Sequence, residues 1–326
     1  MRVFIAGGSG VVGRHLIPAL AARGHEVVAT TTTAAKRGTL ETWGARPLEL
    51  DILDRERVLR AVAEARPDVV VHQATALAGP LSLRRFDASF APTNRLRTEG
   101  TRNLLAAAAA AGAARVVAQS FTGWPNAREG GPVKTEADPL DADPPAAARE
   151  TLAALRTLED AVLTNRDLDG VVLRYGALYG PGTSLGAGGE LLESVRRGRL
   201  PLVGGGGGVW SFLHVEDMAN ATLAAIQGNG AGVYNVVDND PAPVSEWLPY
   251  LAQVLGAKRP RRVPVWVARL VIGEQGVAMM TEMRGSSNAK AKRELGWQPA
   301  YGSWRDGFAH GLGLEDEEEA SSRRAA

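Results

Sequence analysis

Residues 1–13 read MRVFIAGGSGVVG, and this stretch decides the fold. The apolar run at 3–6 predicts a buried strand, and the segment that follows Gly10 is typical of an amphipathic helix. Gly7, Gly10 and Gly13 stand at this junction in the pattern G-x-x-G-x-x-G. Glycines placed here allow backbone N–H groups and a helix N-terminus to approach a pyrophosphate closely. The stretch therefore predicts the first βα unit of a dinucleotide-binding sheet.

Downstream of this turn, short β-branched runs alternate with longer amphipathic segments, which is the rhythm of βαβ units. Strands are predicted at residues 3–6, 26–30, 46–50, 69–72, 115–118 and 171–174, and helices at 11–23, 55–65, 95–111 and 145–163. Six strands with crossover helices predict an α/β fold of Rossmann type, built on a doubly wound parallel sheet.

The rhythm changes after Arg174, where glycine-rich pieces interrupt the chain. We expect residues 1–175 to form an NAD(P)-binding domain to which 212–237 returns, and 176–314 to form mainly a substrate-binding region. The glycine run at 204–208 is interpreted as a turn, because apolar residues follow it at once. Further helices are predicted at 216–227, 244–255 and 264–280, a strand at 232–237, and a disordered acidic tail at 315–326.

Composition excludes several classes of protein. The 326 residues include 37 Lys plus Arg and 36 Asp plus Glu, a net charge of +1 that does not suit a nucleic-acid binder or a partner of anionic membranes. The absence of cysteine excludes disulfides, thiol nucleophiles and cysteine metal sites. We expect neither a secreted product nor a membrane span, and the histidines lack metal-ligand spacing. We expect a cytoplasmic protein with a small-molecule substrate and no metal.

The end of the second predicted strand indicates which nicotinamide dinucleotide is bound. An NAD-specific site usually has an acidic residue here for the ribose 2′-hydroxyl, but residues 27–33 read VVATTTT. Lys36 and Arg37 follow, and the hydroxyl of Thr31 or Thr32 could join them around a 2′-phosphate. The alternative is that these cations form a solvated helix start. The pattern favours NADP over NAD.

Asp51 closes the third predicted strand. Its carboxylate could accept a hydrogen bond from the adenine amino group, or it could cap the helix predicted next along the chain. The sequence leaves both alternatives open.

Seven segments occur in an order that is typical of one family. They are GGSGVVG at 7–13, PDVVVHQA at 67–74, EGTRNLL at 99–105, LRYGALYGPG at 173–182, FLHVEDMA at 212–219, GVYNV at 232–236 and ELGWQP at 294–299. Together they resemble the extended short-chain dehydrogenase/reductase superfamily, in particular the NAD(P)-dependent epimerase/dehydratase family and its atypical members. The resemblance covers nearly the whole chain and implies a homodimer through the helices at 95–111 and 145–163. It implies cofactor contacts at Gly7, Ser9, Gly10, Val11, Val12, Gly13, Thr31, Thr32, Lys36, Arg37, Asp51, Ile52, Gln73, Ala74, Thr75, Ser120 and Tyr175.

The catalytic residues of this family are present only in part. The family normally uses Ser or Thr together with Tyr-x-x-x-Lys, in which the Tyr exchanges a proton with the substrate while the nicotinamide exchanges hydride. The Ser position matches Ser120, with Thr122 as a second candidate. Counting back from Glu159, the Lys falls on Leu155 and the Tyr on Thr151. Leucine cannot titrate and a threonine hydroxyl is too weak an acid, so the usual acid/base pair is missing.

Three explanations follow from the missing pair. In the first, the enzyme still transfers hydride, Ser120 positions a substrate carbonyl, and Tyr175 or Tyr179 supplies the proton; the alternative for these tyrosines is packing against the turn at Pro181. In the second, the protein is an epimerase, dehydratase or isomerase that retains its cofactor. In the third, it is a non-catalytic NADP-binding sensor or scaffold.

The resemblance also bears on the substrate. Nucleotide-sugar enzymes of this family usually carry an Arg at the position that matches Trp210. An apolar cleft is expected instead, lined by Thr122, Trp124, Tyr175, Tyr179, Trp210, Met279 and Met280, with core packing as the alternative for some of them. We expect a small, fairly apolar carbonyl compound as substrate. His214 is interpreted as a structural residue, and Glu216 and Asp217 as caps of the helix that follows.

Overall fold

The β-branched runs form a parallel sheet of seven strands, in a computed structural model that describes residues 1–77 and 81–315. The strands, in chain order, are β1 Arg2–Ala6, β2 Glu26–Thr31, β3 Arg46–Glu49, β4 Val69–His72, β5 Arg115–Phe121, β6 Val133–Lys134, β7 Asp169–Tyr175, β8 Ala177–Tyr179, β9 Leu202–Val203, β10 Val209–Trp210, β11 Phe212–His214, β12 Gly232–Val236, β13 Ala242–Pro243, β14 Arg262–Val263 and β15 Gly285–Ser286.

Helices cover both faces of the sheet and form much of the C-terminal part. The α-helices are α1 Val11–Ala21, α2 Arg37–Thr42, α3 Arg55–Ala65, α4 Phe86–Arg95, α5 Thr101–Ala110, α6 Arg149–Leu163, α7 Glu190–Arg196, α8 Val215–Gln227, α9 Val244–Val254, α10 Val265–Thr281, α11 Ala289–Leu295 and α12 Trp304–His310. Short 3-10 helices span Ala34–Lys36, Leu83–Arg85 and Ala146–Ala148, and a π-helical turn spans Leu96–Gly100.

The large sheet has the order β12-β7-β5-β4-β1-β2-β3, with parallel neighbours throughout. The chain runs outward from β1 through β2 and β3, then crosses to β4 on the other side of β1. Such a reversal opens a crevice at the carboxyl ends of the two central strands, where α/β proteins bind their ligands. The predicted α/β fold of Rossmann type is confirmed.

Alternation along β1 explains why both faces of the sheet are covered. Val3 and Ile5 pack on the side of α1 and α8, whereas Phe4 and Ala6 pack on the side of α3, α5 and α6. Strands that are buried on both faces appear in sequence as continuous apolar runs. A separate aromatic core in the C-terminal part is built around Trp247 and Trp304.

Two differences from the sequence prediction concern helix bounds. The helix predicted at 95–111 begins at Phe86, and the π-helical turn joins α4 to α5. The helix that follows Pro264 is kinked at Gly273, whose φ of +72° lies in the left-handed region. The tail predicted at 315–326 lies, apart from Glu315, outside the described residues. Within 1–77 and 81–315, no helix has both the length and the apolar character that crossing a bilayer requires.

Candidate functional site

The glycine turn between β1 and α1 is held by close backbone packing. Gly7 has a φ of +81°, and a Cβ atom there would lie 2.5 Å from the Cα atom of Ala74. A Cβ atom on Gly13 would lie 1.7 Å from the carbonyl oxygen of Gly8. The Gly7 N–H also donates to Thr30 Oγ1 at 3.0 Å. Larger residues would therefore push the turn away from β2 and from the segment after β4.

The N-terminus of α1 is open to an anion. Gly10 is the N-cap residue and offers no side-chain acceptor, and the first turn contains no acidic residue. The first N–H groups of a helix need acceptors, and the helix dipole favours a negative charge beside them. Because this end of α1 lies at the crevice, the turn fits the pyrophosphate of a dinucleotide.

The residues after β2 form the candidate site for a 2′-phosphate. Ser9 Oγ donates to Thr31 Oγ1 at 3.0 Å, and the same oxygen accepts the Thr33 N–H at 3.1 Å, so the Thr31 hydroxyl shapes the turn. Thr32 is exposed. Lys36 and Arg37 are also exposed, and neither has an acidic partner within salt-bridge distance in the described part of the chain. Two unpaired cations beside the crevice suit a phosphate.

Asp51 is not the cap of α3. Asp54 has that role, because its side chain accepts the Arg57 N–H at 3.0 Å. Asp51 Oδ1 instead accepts the Leu53 N–H at 2.9 Å, and the side chain is exposed. Ile52 packs against Gly100. These contacts exclude the alternative in which Asp51 caps the following helix.

The segment after β4 is fixed by His72. Its Nδ1 atom accepts the Ala74 N–H at 3.3 Å, and its Nε2 atom lies 3.2 Å from the Leu96 carbonyl oxygen. Burial lowers the pKa of His72 to about 4, so the ring is neutral and Nε2 donates. In the same segment, Ala74 is partly buried and Thr75 is exposed.

Tyr175 does not face the cleft, contrary to the sequence hypothesis. Its hydroxyl accepts from Gln73 Nε2 at 3.1 Å and lies 2.7 Å from Thr222 Oγ1. Thr222 in turn donates to the Met218 carbonyl oxygen, so the tyrosine donates to Thr222. Burial raises the pKa of Tyr175 to about 12. The hydroxyl is used inside the core, which makes Tyr175 unsuitable as a proton donor to a substrate.

Tyr179 is also enclosed. Its ring packs at 5.1–6.4 Å from the rings of Phe212, His214, Tyr301 and Phe308. Its hydroxyl has no hydrogen-bond partner among residues 1–77 and 81–315, and burial together with the nearby Asp238 raises its pKa well above the usual value. The suggested proton donor therefore lies in the C-terminal core.

Ser120 is part of a buried ionic network. Its hydroxyl donates to Glu159 Oε1 at 2.6 Å, and Arg174 donates to both oxygens of the same carboxylate at 2.8 and 2.6 Å. In the structure the Ser120 hydroxyl is thus held by Glu159, and its suggested contact with a substrate carbonyl stays a prediction. Thr122 is likewise buried, and its hydroxyl lies 2.6 Å from Ser286 Oγ. It links the end of β5 to β15.

The missing acid/base pair is replaced by packing. Thr151 and Leu155 are fully buried on α6. The Thr151 hydroxyl donates to Asp87 Oδ1 at 2.6 Å and accepts from Asn94 Nδ2 at 3.1 Å. Thr151 therefore joins α6 to α4. Neither Thr151 nor Leu155 has a side chain that titrates near neutral pH.

The predicted substrate-lining residues fall into two clusters. Trp124 is partly buried and lies edge-on to Phe86 with the ring centroids 5.0 Å apart. Trp210 packs instead with Phe212 and Trp247, and its Nε1–H donates to the carbonyl oxygen of Met279. Met280 lies in the C-terminal core. Trp124 is therefore the better candidate for the cleft, and the alternative of core packing holds for Met280.

The junction at His214 is structural, as expected. Its Nδ1 atom accepts the Glu216 N–H at 3.3 Å, and Nε2 lies 3.0 Å from the Gly311 carbonyl oxygen. Asp217 accepts the N–H groups of Ala300 and Tyr301 at 2.6 and 2.9 Å, so it anchors a later segment, contrary to the predicted cap. Across 1–77 and 81–315, no three acidic or histidine side chains are grouped so that they could share a metal ion.

Arg97 was missed by sequence reasoning. It is 8% exposed, and it lies in the π-helical turn with its Cζ atom 5.5 Å from the centroid of the Phe90 ring. The available signal is its spacing: Phe86, Phe90, Thr93 and Arg97 recur every three or four residues and are all buried. A cation on an apolar helical stripe is uncommon, since buried charges are usually paired.

Comparisons with known proteins identify the family of the chain. The NAD dependent epimerase/dehydratase family model matches residues 3–237. A 3-diazoavenalumate denitrifying reductase from a Streptomyces species is 46% identical over 311 residues, which are 94% of this chain and 99% of that protein. A 4-hydroxy-2-methyl-3-oxo-4-farnesyl-3,4-dihydroquinoline-1-oxide ketoreductase from Stigmatella aurantiaca is 32% identical over 79% of this chain and 74% of its own length.

The fold is shared with solved structures. The UDP-glucose 4-epimerase of Thermotoga maritima, crystallised with UDP-glucose, superposes with a TM-score of 0.75 at 22% identity, covering 98% of this chain and 99% of that one. These matches confirm the resemblance that the sequence motifs indicate. The chain belongs to the NAD dependent epimerase/dehydratase family and is an enzyme of that family, an oxidoreductase or epimerase that uses a nicotinamide cofactor.

Proposed function

We propose that the protein is an NADPH-dependent reductase that delivers hydride to a small, fairly apolar aromatic substrate without a proton donor from the protein. The observation that carries the proposal is the pair Thr151 and Leu155, which are buried where relatives of this family place Tyr and Lys. The cofactor supplies the hydride when it is bound. The turn of Gly7, Gly10 and Gly13 would hold its pyrophosphate, and Lys36 and Arg37 its 2′-phosphate.

The missing proton donor limits which hydride acceptors are suitable. Reduction of a ketone creates a strongly basic alkoxide, so ketone reductases benefit from a positioned acid. An aromatic diazonium carbon has no such requirement. Bound NADPH would supply the hydride for the new C–H bond and become NADP⁺, while the C–N bond would break and its electron pair would leave with N2.

A diazo substrate is also supported by similarity. The relative that is 46% identical over nearly its full length is named as a denitrifying reductase of a diazo compound. The carbonyl substrate that the sequence favours is the second candidate, supported by the ketoreductase name of the relative at 32% identity. The burial of Tyr175 and Tyr179 argues against the carbonyl, because a positioned acid would have to contact the developing alkoxide.

The test compares the two acceptors directly. Purified protein is mixed with NADPH and either diazotised 3-aminocinnamate or benzylideneacetone, a ketone of similar size, with enzyme-free mixtures as blanks. We expect enzyme-dependent loss of NADPH and equimolar N2 with the diazonium compound, and no turnover of the ketone. Reduction of the ketone alone would favour the second candidate, and turnover of neither compound together with no binding of NADPH would overturn the proposal.

A further inference from the structure

Arg97 is a buried cation with very little compensation. Among the residues that the structure describes, its guanidinium makes one hydrogen bond, from Nη1 to the amide oxygen of Asn94 at 3.3 Å. Within residues 1–77 and 81–315, no carboxylate lies within salt-bridge distance of it. A guanidinium has five N–H donors, and an uncompensated buried charge is costly. Burial lowers the pKa of Arg97 to about 10, which leaves it charged at neutral pH. Such a group is well suited to an anionic ligand.

The location of Arg97 relates it to the missing acid/base pair. Asn94 accepts from Arg97 and donates to the Thr151 hydroxyl, so the guanidinium lies one side chain away from the position where relatives carry Tyr. The π-helical turn that carries Arg97 packs against α6. Turns of this kind are rare and are frequent at functional sites.

A series of aromatic rings leads from Arg97 to Trp124. The guanidinium lies over Phe90, Phe90 lies 4.5 Å from Phe86, and Phe86 lies 5.0 Å from Trp124, measured between ring centroids. Next to Trp124, Gly123 approaches the Met283 side chain from the C-terminal part. Phe86 and Phe90 are buried and Trp124 is partly exposed. A cation beside such an aromatic cluster is complementary to a flat aromatic molecule with one anionic group.

The anions of the cofactor have other candidate partners. The open N-terminus of α1 fits the pyrophosphate, and Lys36 with Arg37 fits the 2′-phosphate. A further buried cation beside α6 therefore matches an anion that belongs to the substrate. We propose that Arg97 binds the carboxylate of an aromatic acid substrate, whose ring packs along Phe90, Phe86 and Trp124. This inference rests on the proposed reductase function and adds the substrate class.

Binding of a simple aromatic acid tests the assignment. Isothermal titration of the NADP⁺-loaded protein would compare trans-cinnamate with its methyl ester, which keeps the ring and removes the charge. We expect cinnamate to bind at least about tenfold more tightly, in line with a hydrogen bond to a charged group. Arg97→Gln should abolish this preference and leave NADP⁺ affinity unchanged, whereas Arg102→Gln, which changes an exposed arginine on α5, should preserve both.

Three outcomes would overturn the inference. They are equal binding of acid and ester by the wild-type protein, no binding of cinnamate by a protein that binds NADP⁺, and an Arg97→Gln variant that loses NADP⁺ while it retains the preference for the acid. In the third case the guanidinium serves the cofactor. If Arg97→Gln does not fold, Arg97→Lys and the wild-type comparison at low and high salt decide the question. Failure to bind NADP⁺ would instead contradict the proposed function.

Discussion

Thr151 Oγ1 donates a 2.6 Å hydrogen bond to Asp87 Oδ1, and the same carboxylate oxygen accepts the backbone N–H of Thr151 at 2.8 Å. Asp87 also accepts the N–H of Glu150 through its other oxygen. A carboxylate on α4 thus satisfies the first N–H groups of α6, which no residue of α6 caps. The position that would carry the catalytic tyrosine in relatives is used here to join two helices.

Replacing Thr151 by valine should therefore affect stability and not chemistry. Asp87 and Asn94 lose a buried partner, so Thr151→Val should lower the free energy of unfolding by about 1–3 kcal/mol. The turnover rate of the folded variant with the diazonium substrate should match that of the wild type. Urea unfolding and steady-state assays would measure the two effects, with Thr151→Ser as the control that keeps the hydroxyl. A fall in kcat of about 10²-fold or more would indicate a general acid at this position.

The two buried tyrosines should respond differently to removal of the hydroxyl. Tyr175→Phe leaves Gln73 without an acceptor for its Nε2–H, so we expect a stability loss of about 1–2 kcal/mol. Tyr179→Phe removes a hydroxyl that has no partner in the described part of the chain, so it should be neutral or slightly stabilising. Neither variant should change kcat, because neither hydroxyl reaches the cleft. Thermal unfolding and turnover would be measured together, and slower turnover in either variant would restore that tyrosine as a proton donor.

The preference for NADPH should depend on the cations after β2. Changing Lys36 and Arg37 to alanine should weaken NADPH binding by about 10- to 100-fold and leave NADH binding unaffected, because only NADPH has the 2′-phosphate. Tryptophan quenching by each cofactor would give the dissociation constants. Lys258 and Arg259 form an exposed pair of the same composition, and their replacement by alanine is the matched control. Equal losses for both cofactors would show that the pair does not recognise the phosphate.

Asp238 should make stability depend on pH. Burial, with a smaller effect of the nearby Asp240, raises the pKa of Asp238 to about 8. In the unfolded chain, the pKa of an aspartate side chain is about 3.9. The folded protein keeps a proton that the unfolded chain releases, so this group lowers the free energy of unfolding as the pH rises between these values. Asp238→Asn should match the wild type near pH ~4 and exceed its stability by a few kcal/mol (about 1–3) at pH ~8.

Urea unfolding at several pH values would test this expectation. The exposed Asp160, changed to asparagine, controls for the general effect of removing a negative charge. A difference between Asp238→Asn and the wild type that does not vary with pH would contradict it.

Local sequence patterns were sufficient for the sheet and for the glycine turn. Strands that are buried on both faces appear in sequence as apolar runs. In the turn, Gly7 lies so close to Ala74 that a larger residue would not fit, which explains the glycine pattern. The start of α4 at Phe86 was not predicted. Phe86, Phe90, Thr93 and Arg97 recur at helical spacing, but a charged residue ends this stripe and hides it as the buried face of a helix.

The partners of the site residues depend on distant segments. Tyr175 pairs with Thr222 on α8, and Ser120 with Glu159 on α6. Periodicity indicates that such residues are buried but not which side chain they meet across the fold. Position in the family pattern suggested chemical roles for both, whereas their hydrogen-bond partners, Thr222 and Glu159, become visible only in the folded chain.

The most direct test of the central claim is an isotope measurement of hydride delivery. The enzyme would turn over diazotised 3-aminocinnamate with NADPH that carries deuterium at the transferable C4 position, and the product would be analysed by mass spectrometry and NMR. The account predicts deuterium at the ring carbon that lost nitrogen, one N2 for each NADP⁺ formed, and no label at that carbon when unlabelled NADPH is used in D2O. A label that comes from the solvent, or release of N2 without oxidation of NADPH, would contradict it.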